Sequence, residues 1–212
     1  YCDGTNDACD APYACPETTS VCILMCHGSE NDDATEACDG LAYTCAAGSQ
    51  CIVRCLAGRC AWGFAVHGAD AASLSVDLYG AALAPNGRVG RQAHVQCPGR
   101  GPCDVDCRSP YKACRDLHVE AHGPAPSVRV SCAGDDTTGS CQDAFVGVSG
   151  PNATVEVLCS GDGKNKCADL VVAASGRNAS ARVACGGASN AGQGQCDRVV
   201  VGTAFARHVF VD

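Results

Sequence analysis

Short stretches in which every second residue is apolar recur along this chain. Cys51-Ile-Val-Arg-Cys55, Leu74-Ser-Val-Asp-Leu78, Cys103-Asp-Val-Asp-Cys107, Val128-Arg-Val-Ser-Cys132, Val155-Glu-Val-Leu-Cys159 and Ala181-Arg-Val-Ala-Cys185 share one template. A period of two predicts a strand with one face buried and one in water. After a segment of variable length comes a second apolar run, such as Asp143-Ala-Phe-Val-Gly-Val-Ser149 or Asp169-Leu-Val-Val-Ala-Ala-Ser175. That run stops at a glycine (Gly123, Gly150, Gly176), as expected where the backbone turns with φ > 0. A short link then leads to the next template. The unit is strand, loop, strand, turn, in 23 to 29 residues. A constant core with one loop of free length predicts a parallel β-solenoid of about eight coils, all-β, with insertions gathered on one side.

The cysteines obey the same repeat. Twenty of them fall into ten neighbouring couples: Cys2/Cys9, Cys15/Cys22, Cys26/Cys38, Cys45/Cys51, Cys55/Cys60, Cys97/Cys103, Cys107/Cys114, Cys132/Cys141, Cys159/Cys167 and Cys185/Cys196. From the second member of one couple to the first of a later one the step is 17 residues (Cys9 to Cys26, Cys38 to Cys55) or 18 (Cys114 to Cys132, Cys141 to Cys159, Cys167 to Cys185). One coil carries Leu78 where others have cysteine, and Val89 or Gly90 where the partner belongs. Both members are lost together, as they would be if they bonded to each other. A second kind of couple (Cys45/Cys51, Cys97/Cys103, Cys15/Cys22) spans the other turn, and His122/Val128 and Ser175/Ala181 are read as its joint replacements. The expectation is sequential pairing, each bond closing a loop within one coil, although spacing alone does not exclude other connectivities. Metal ligation is disfavoured: the Cys-x2-Cys spacing of zinc sites is absent and the six histidines look scattered.

Composition adds three constraints. Hydrophobic residues make up 46% of the 212, yet there is one Trp and there are four Phe and five Tyr, so the core must be Val, Ala, Leu and half-cystine. Small side chains suit the narrow space between facing sheets. Cysteine at this density, in ordered couples, belongs to an oxidising compartment, and a secreted, extracellular or cell-surface location is the expectation. A net charge of −8 with no basic stripe argues against nucleic acid. No apolar run approaches the ~20 residues of a transmembrane helix, so membrane insertion is not expected. The cysteine-dense part, 1–60, reads as coils that form a cap, and 61–212 as regular coils, in one continuous domain.

The outward positions of the template form two columns. One holds Met25, Arg54, Asp77, Asp106, Ser131, Leu158 and Ala184. The other holds Ile23, Ile52, Ser75, Asp104, Arg129, Glu156 and Arg182. Asp77, Asp104 and Asp106 are the candidates for a calcium site or for paired catalytic carboxylates. The competing reading is a charge ladder, in which Arg54 and Arg129 neutralise them and Arg129, Glu156 and Arg182 alternate in sign. No nucleophile–base–orienter set is evident, so the chain is expected not to be an enzyme and to need no cofactor. His67 and His122 each precede a glycine and read as turn residues. Asn152-Ala-Thr154 and Asn178-Ala-Ser180 are N-glycosylation sequons at the same turn of successive coils, so N-linked glycans on Asn152 and Asn178 are expected.

The repeated Val-x-Val-x-Cys, the variable loop and the following strand resemble the cysteine-rich β-solenoid modules of secreted and cell-surface proteins of algae and other protists. That resemblance covers the whole chain and implies an extracellular structural or adhesive part, such as a piece of a surface fibre or matrix. The alternative is a carbohydrate-binding or adhesive domain, with Trp62, Phe64, Tyr13, Tyr43, Tyr79 and Tyr111 as the aromatics available to it. Tyr1 at one end and Val209, Phe210 and Val211 at the other align with strands, so the ends are the expected surfaces for head-to-tail self-association or for adjoining modules of a longer chain.

Overall fold

A computed structural model describes residues 13–15, 20–26, 38, 40–56, 63–79, 90–108, 113–133, 140–161, 166–186, 196–204 and 208–211. In chain order the strands are β1 (Tyr13–Ala14), β2 (Val21–Cys26), β3 (Ala42–Thr44), β4 (Gln50–Leu56), β5 (Ala65–His67), β6 (Ser73–Tyr79), β7 (His94–Cys97) and β8 (Arg100–Arg108). They continue with β9 (His118–His122), β10 (Ala125–Ala133), β11 (Phe145–Ser149), β12 (Thr154–Ser160), β13 (Val171–Ser175), β14 (Ser180–Gly186), β15 (Val200–Ala204) and β16 (His208–Val211). Odd-numbered strands form one eight-stranded sheet and even-numbered strands a second. All pairings are parallel, and the chain alternates between the sheets. This is an all-β, disulfide-laddered parallel β-solenoid. The strands within 40–56 pair directly with those within 63–79, β3 with β5 and β4 with β6.

Alternation sets the core. In the even sheet Leu24, Val53, Val76, Val130, Val157 and Val183 share one inward column and are fully buried. In the odd sheet Tyr43, Val66, Val95, Val119, Val146 and Val172 do the same. The register of the even sheet is that of the sequence template: Cys51, Leu74, Cys103, Val128, Val155 and Ala181 stand side by side.

Two kinds of disulfide brace this interior. Cys26–Cys38, Cys107–Cys114, Cys132–Cys141, Cys159–Cys167 and Cys185–Cys196 join the end of an even strand to the loop before the next odd one. Cys15–Cys22, Cys45–Cys51 and Cys97–Cys103 close the opposite turn. Cys2, Cys9 and Cys60 lie outside the described residues.

The coil around β6 lacks both kinds, and the structure shows what replaces them. A Cβ on Gly90 would lie 2.7 Å from Leu78 Cδ1. A Cβ on Gly68 would lie 2.9 Å from Leu74 Cδ2 and 3.7 Å from Cys45 Sγ. Twice, therefore, a leucine fills the space of a cystine and a glycine makes room for it. Of the two candidate partners for Leu78, Gly90 lies against it, and Val89 is outside the described residues.

The joint replacements of the second couple need correcting. Cys97 stands beside Ala121, not His122, and the column continues through Val148 and Ala174, not Ser175. The replaced pairs are thus Ala121/Val128 and Ala174/Ala181. The turn after Ala121 holds one more residue than the turn after Cys97, because Arg100 is the register partner of Ala125. Those longer turns carry stacked glycines. Gly150 has φ 135°, and a Cβ on it would fall 1.7 Å from the carbonyl oxygen of Gly123.

Candidate functional site

On the outer face of the even sheet both charged columns line up as ladders. Arg54 Nε lies 3.1 Å from Asp77 Oδ2, and Asp106 pairs with Arg108 of its own strand. In the second column Arg129 Nε and Arg182 Nη1 approach Glu156 from its two sides, at 3.6 and 3.3 Å. Asp104 is the register neighbour of Ser75 and of Arg129. An open groove of about 320 Å³ passes over Asp104, Arg129, Glu156 and Arg182, and the alternating signs leave its floor without a dominant charge. Among the described residues, Asp77, Asp104 and Asp106 are not a group whose oxygens converge within ligand distance. Asp77 pairs with Arg54, as the ladder reading expects, whereas Asp106 takes Arg108, outside both columns, and Arg129 turns to Glu156 instead of the aspartates.

The odd sheet holds what the sequence reading missed. Its outward positions form columns too: Ala65, His94, His118, Phe145, Val171 and Val200 in one, and His67, Gln96, Glu120, Gly147 and Ala173 in the next. His94 and His118 are neighbours on β7 and β9, with ring centroids 4.9 Å apart. Phe145 continues the stack below His118 at 4.7 Å, its ring lying over Gly147. Glu120 sits two residues along β9 on the same face. His94 Nε2 is 3.5 Å from Glu120 Oε1, and His118 Nε2 is 3.7 Å from Oε2. His122 Nε2 also faces Oε2, at 3.5 Å, while its Nδ1 is 2.6 Å from Ser149 Oγ.

The histidines are therefore not scattered. Four of the six meet on one sheet face, with Glu120 among them. Residues 65–67, 94–96 and 118–120 each read x-Val-x with the valine buried, and aligning those three triplets would have revealed the cluster. Burial lowers the pKa of His94 first, the charge of His118 second, while Glu120 opposes both. The ligand atoms of His94, His118 and Glu120 all lie within 4.8 Å of one another. Cys159, Cys185 and Cys196 also converge, but all three are tied up in disulfides and offer no thiolate.

Asn152 and Asn178, with φ of 58° and 60°, occupy equivalent exposed turns. Asn178 Nδ2 donates to Asn152 Oδ1 at 3.2 Å, so the two amides stack along the axis. At the ends, Val209, Phe210 and Val211 lie in β16, which among the described residues pairs with β14 alone; Tyr1 is outside the described residues. No helix among the described residues is long and apolar enough to cross a membrane. Comparison with family models, with curated proteins and with solved structures finds no match.

Proposed function

We propose that the chain is a non-catalytic structural module of an extracellular fibre or matrix, N-glycosylated, and extended by stacking further coils on its ends. The observation that carries this reading is the state of the terminal strands. Among the described residues, β1 and β2 at one end and β15 and β16 at the other have a partner strand on one side only. Within the described residues, their outer edges carry rows of backbone N–H and C=O groups without a partner strand. A parallel sheet continues indefinitely in such a direction. Because the two ends differ, a contact between copies would be heterologous and would propagate. The described disulfides suit an oxidising compartment.

The same features weigh against the rival readings. Of the aromatics available for a sugar-binding platform, Tyr43 and Phe64 are fully buried, while Tyr79 stands exposed on the even sheet. On the outer face of the even sheet Asp77, Asp106 and Glu156 each have an arginine partner, and Asp104 does not join them in a group of converging oxygens. Glycans on Asn152 and Asn178 would line one turn of the solenoid and leave the ends clear for stacking.

Sedimentation velocity and negative-stain imaging of the purified chain test this. Concentration-dependent linear particles are expected, shortened or abolished by Phe210→Asp with Val211→Asp. A monodisperse monomer at millimolar concentration would overturn the assembly reading.

A further inference from the structure

We infer that the outer face of the odd sheet binds one divalent transition-metal cation, of the zinc or copper class, through His94 Nε2, His118 Nε2 and the Glu120 carboxylate. Parallel register places the two imidazoles one strand apart, and their stacking turns both Nε2 atoms toward the same carboxylate. Each nitrogen faces a different oxygen of Glu120, at 3.5 and 3.7 Å. Both separations exceed a hydrogen-bond length, so the cluster is drawn together without being closed.

A metal closes it. Tetrahedral ligands at about 2.0–2.1 Å from zinc stand roughly 3.4 Å from one another. The present atoms lie within 4.8 Å, so side-chain adjustments suffice and the strands need not move. Two imidazoles and one carboxylate make a borderline-soft set, suited to Zn²⁺ or Cu²⁺; Ca²⁺ and Mg²⁺ prefer all-oxygen sites. Three protein ligands on an open face leave a further position for water. His122, held at Nδ1 by Ser149, reaches Glu120 Oε2 and would orient the carboxylate from outside.

The position gives the ion a structural task. The described disulfides all run around a coil, from one sheet to the other across a loop or turn. None joins a strand to its neighbour along the axis. A cation shared by β7 and β9 would make that axial tie.

The test is a titration of the chelator-treated full chain with Zn²⁺ by calorimetry and with Cu²⁺ by electron paramagnetic resonance. The wild-type protein, His94→Ala, His118→Ala, Glu120→Gln and the control His67→Ala are compared. These are surface positions, and circular dichroism with a free-thiol count establishes that each variant is folded. One equivalent is expected to bind the wild-type and control chains, with copper spectra showing two coupled nitrogens. Affinity should fall by more than about tenfold in each of the three ligand variants. Absence of a one-equivalent site in the wild-type chain, or binding that survives His94→Ala with His118→Ala, overturns the assignment.

Discussion

If leucine and glycine occupy the space of a missing cystine at Leu78 and Gly90, restoring the cysteines should restore the bond. The separation is 12 residues, equal to that of Cys26–Cys38. In the equivalent bonds of that class the Cα atoms lie 6.0 to 6.3 Å apart. Gly90 has φ 66°, and its register counterparts Cys114 and Cys141 adopt 54° and 53°, so half-cystine is tolerated in that conformation. A leucine facing a glycine carries as many side-chain heavy atoms as a cystine, so the packing term should nearly cancel. Closing a loop of this length contributes about 3 kcal/mol, and a Cβ in the left-handed region costs about 1 kcal/mol. The Leu78→Cys, Gly90→Cys chain should therefore be about 2 kcal/mol more stable than wild type. Gly90→Ala alone has the opposite sign. Its Cβ keeps the left-handed cost and meets Leu78 Cδ1 at 2.7 Å, for a total loss of about 2–4 kcal/mol. Guanidinium unfolding of the oxidised proteins, with thiol alkylation to count unbonded cysteines, reads both effects. Two alkylatable thiols in the double variant, or an unchanged midpoint for Gly90→Ala, would refute the idea that this coil is a cystine position refilled.

Gly150→Ala should cost at least about 2 kcal/mol, because φ is 135° and the new Cβ would sit 1.7 Å from the Gly123 carbonyl oxygen. Gly48→Ala, with φ 72° and nothing within 4 Å, is the control and should lose only about 1 kcal/mol; equal losses would show that stacking is not the cause. Intact-mass analysis of secreted material, before and after enzymatic deglycosylation, should show glycan on Asn152 and Asn178. Unmodified asparagine at both positions would mean that these sequons serve only as left-handed turn residues.

The even sheet was legible in the sequence because its strands carry their own register mark. Val-x-Val ending at a half-cystine fixes both the face and the neighbour, and the charge ladders follow from that alignment. The odd sheet has no such mark. Its strands run from two residues (Tyr13–Ala14) to five (Phe145–Ser149), and loops of unequal length precede them. Counting backward from the next template therefore slips by one residue at the turns lengthened after Ala121 and Ala174. In a strand a slip of one exchanges the two faces. Spacing alone therefore points to His122, on the surface, as the counterpart of Cys97, where the buried Ala121 holds that place. The same missing register hid His94 and His118, which are 24 residues apart in sequence and adjacent in space.

The location of the histidine cluster follows a wider division of labour. Cystines fix the circumference of a coil, while cohesion along the axis rests on hydrogen-bonded strands, buried valines and the charge ladders. Residues 61 to 96 contain no cysteine, so the coil of β5 and β6 is closed without a cystine, and leucine packs against glycine at Gly68 with Leu74 and at Gly90 with Leu78. His94 begins the odd strand that follows Gly90. A cation bridging His94 to His118 and Glu120 would fasten that strand to β9, whose own coil is braced by Cys107–Cys114. The proposed tie therefore anchors the edge of the segment without cystines to a segment that has them. Nearest-neighbour coupling is what holds a solenoid together, so a single ion at that step acts where the covalent ladder is interrupted.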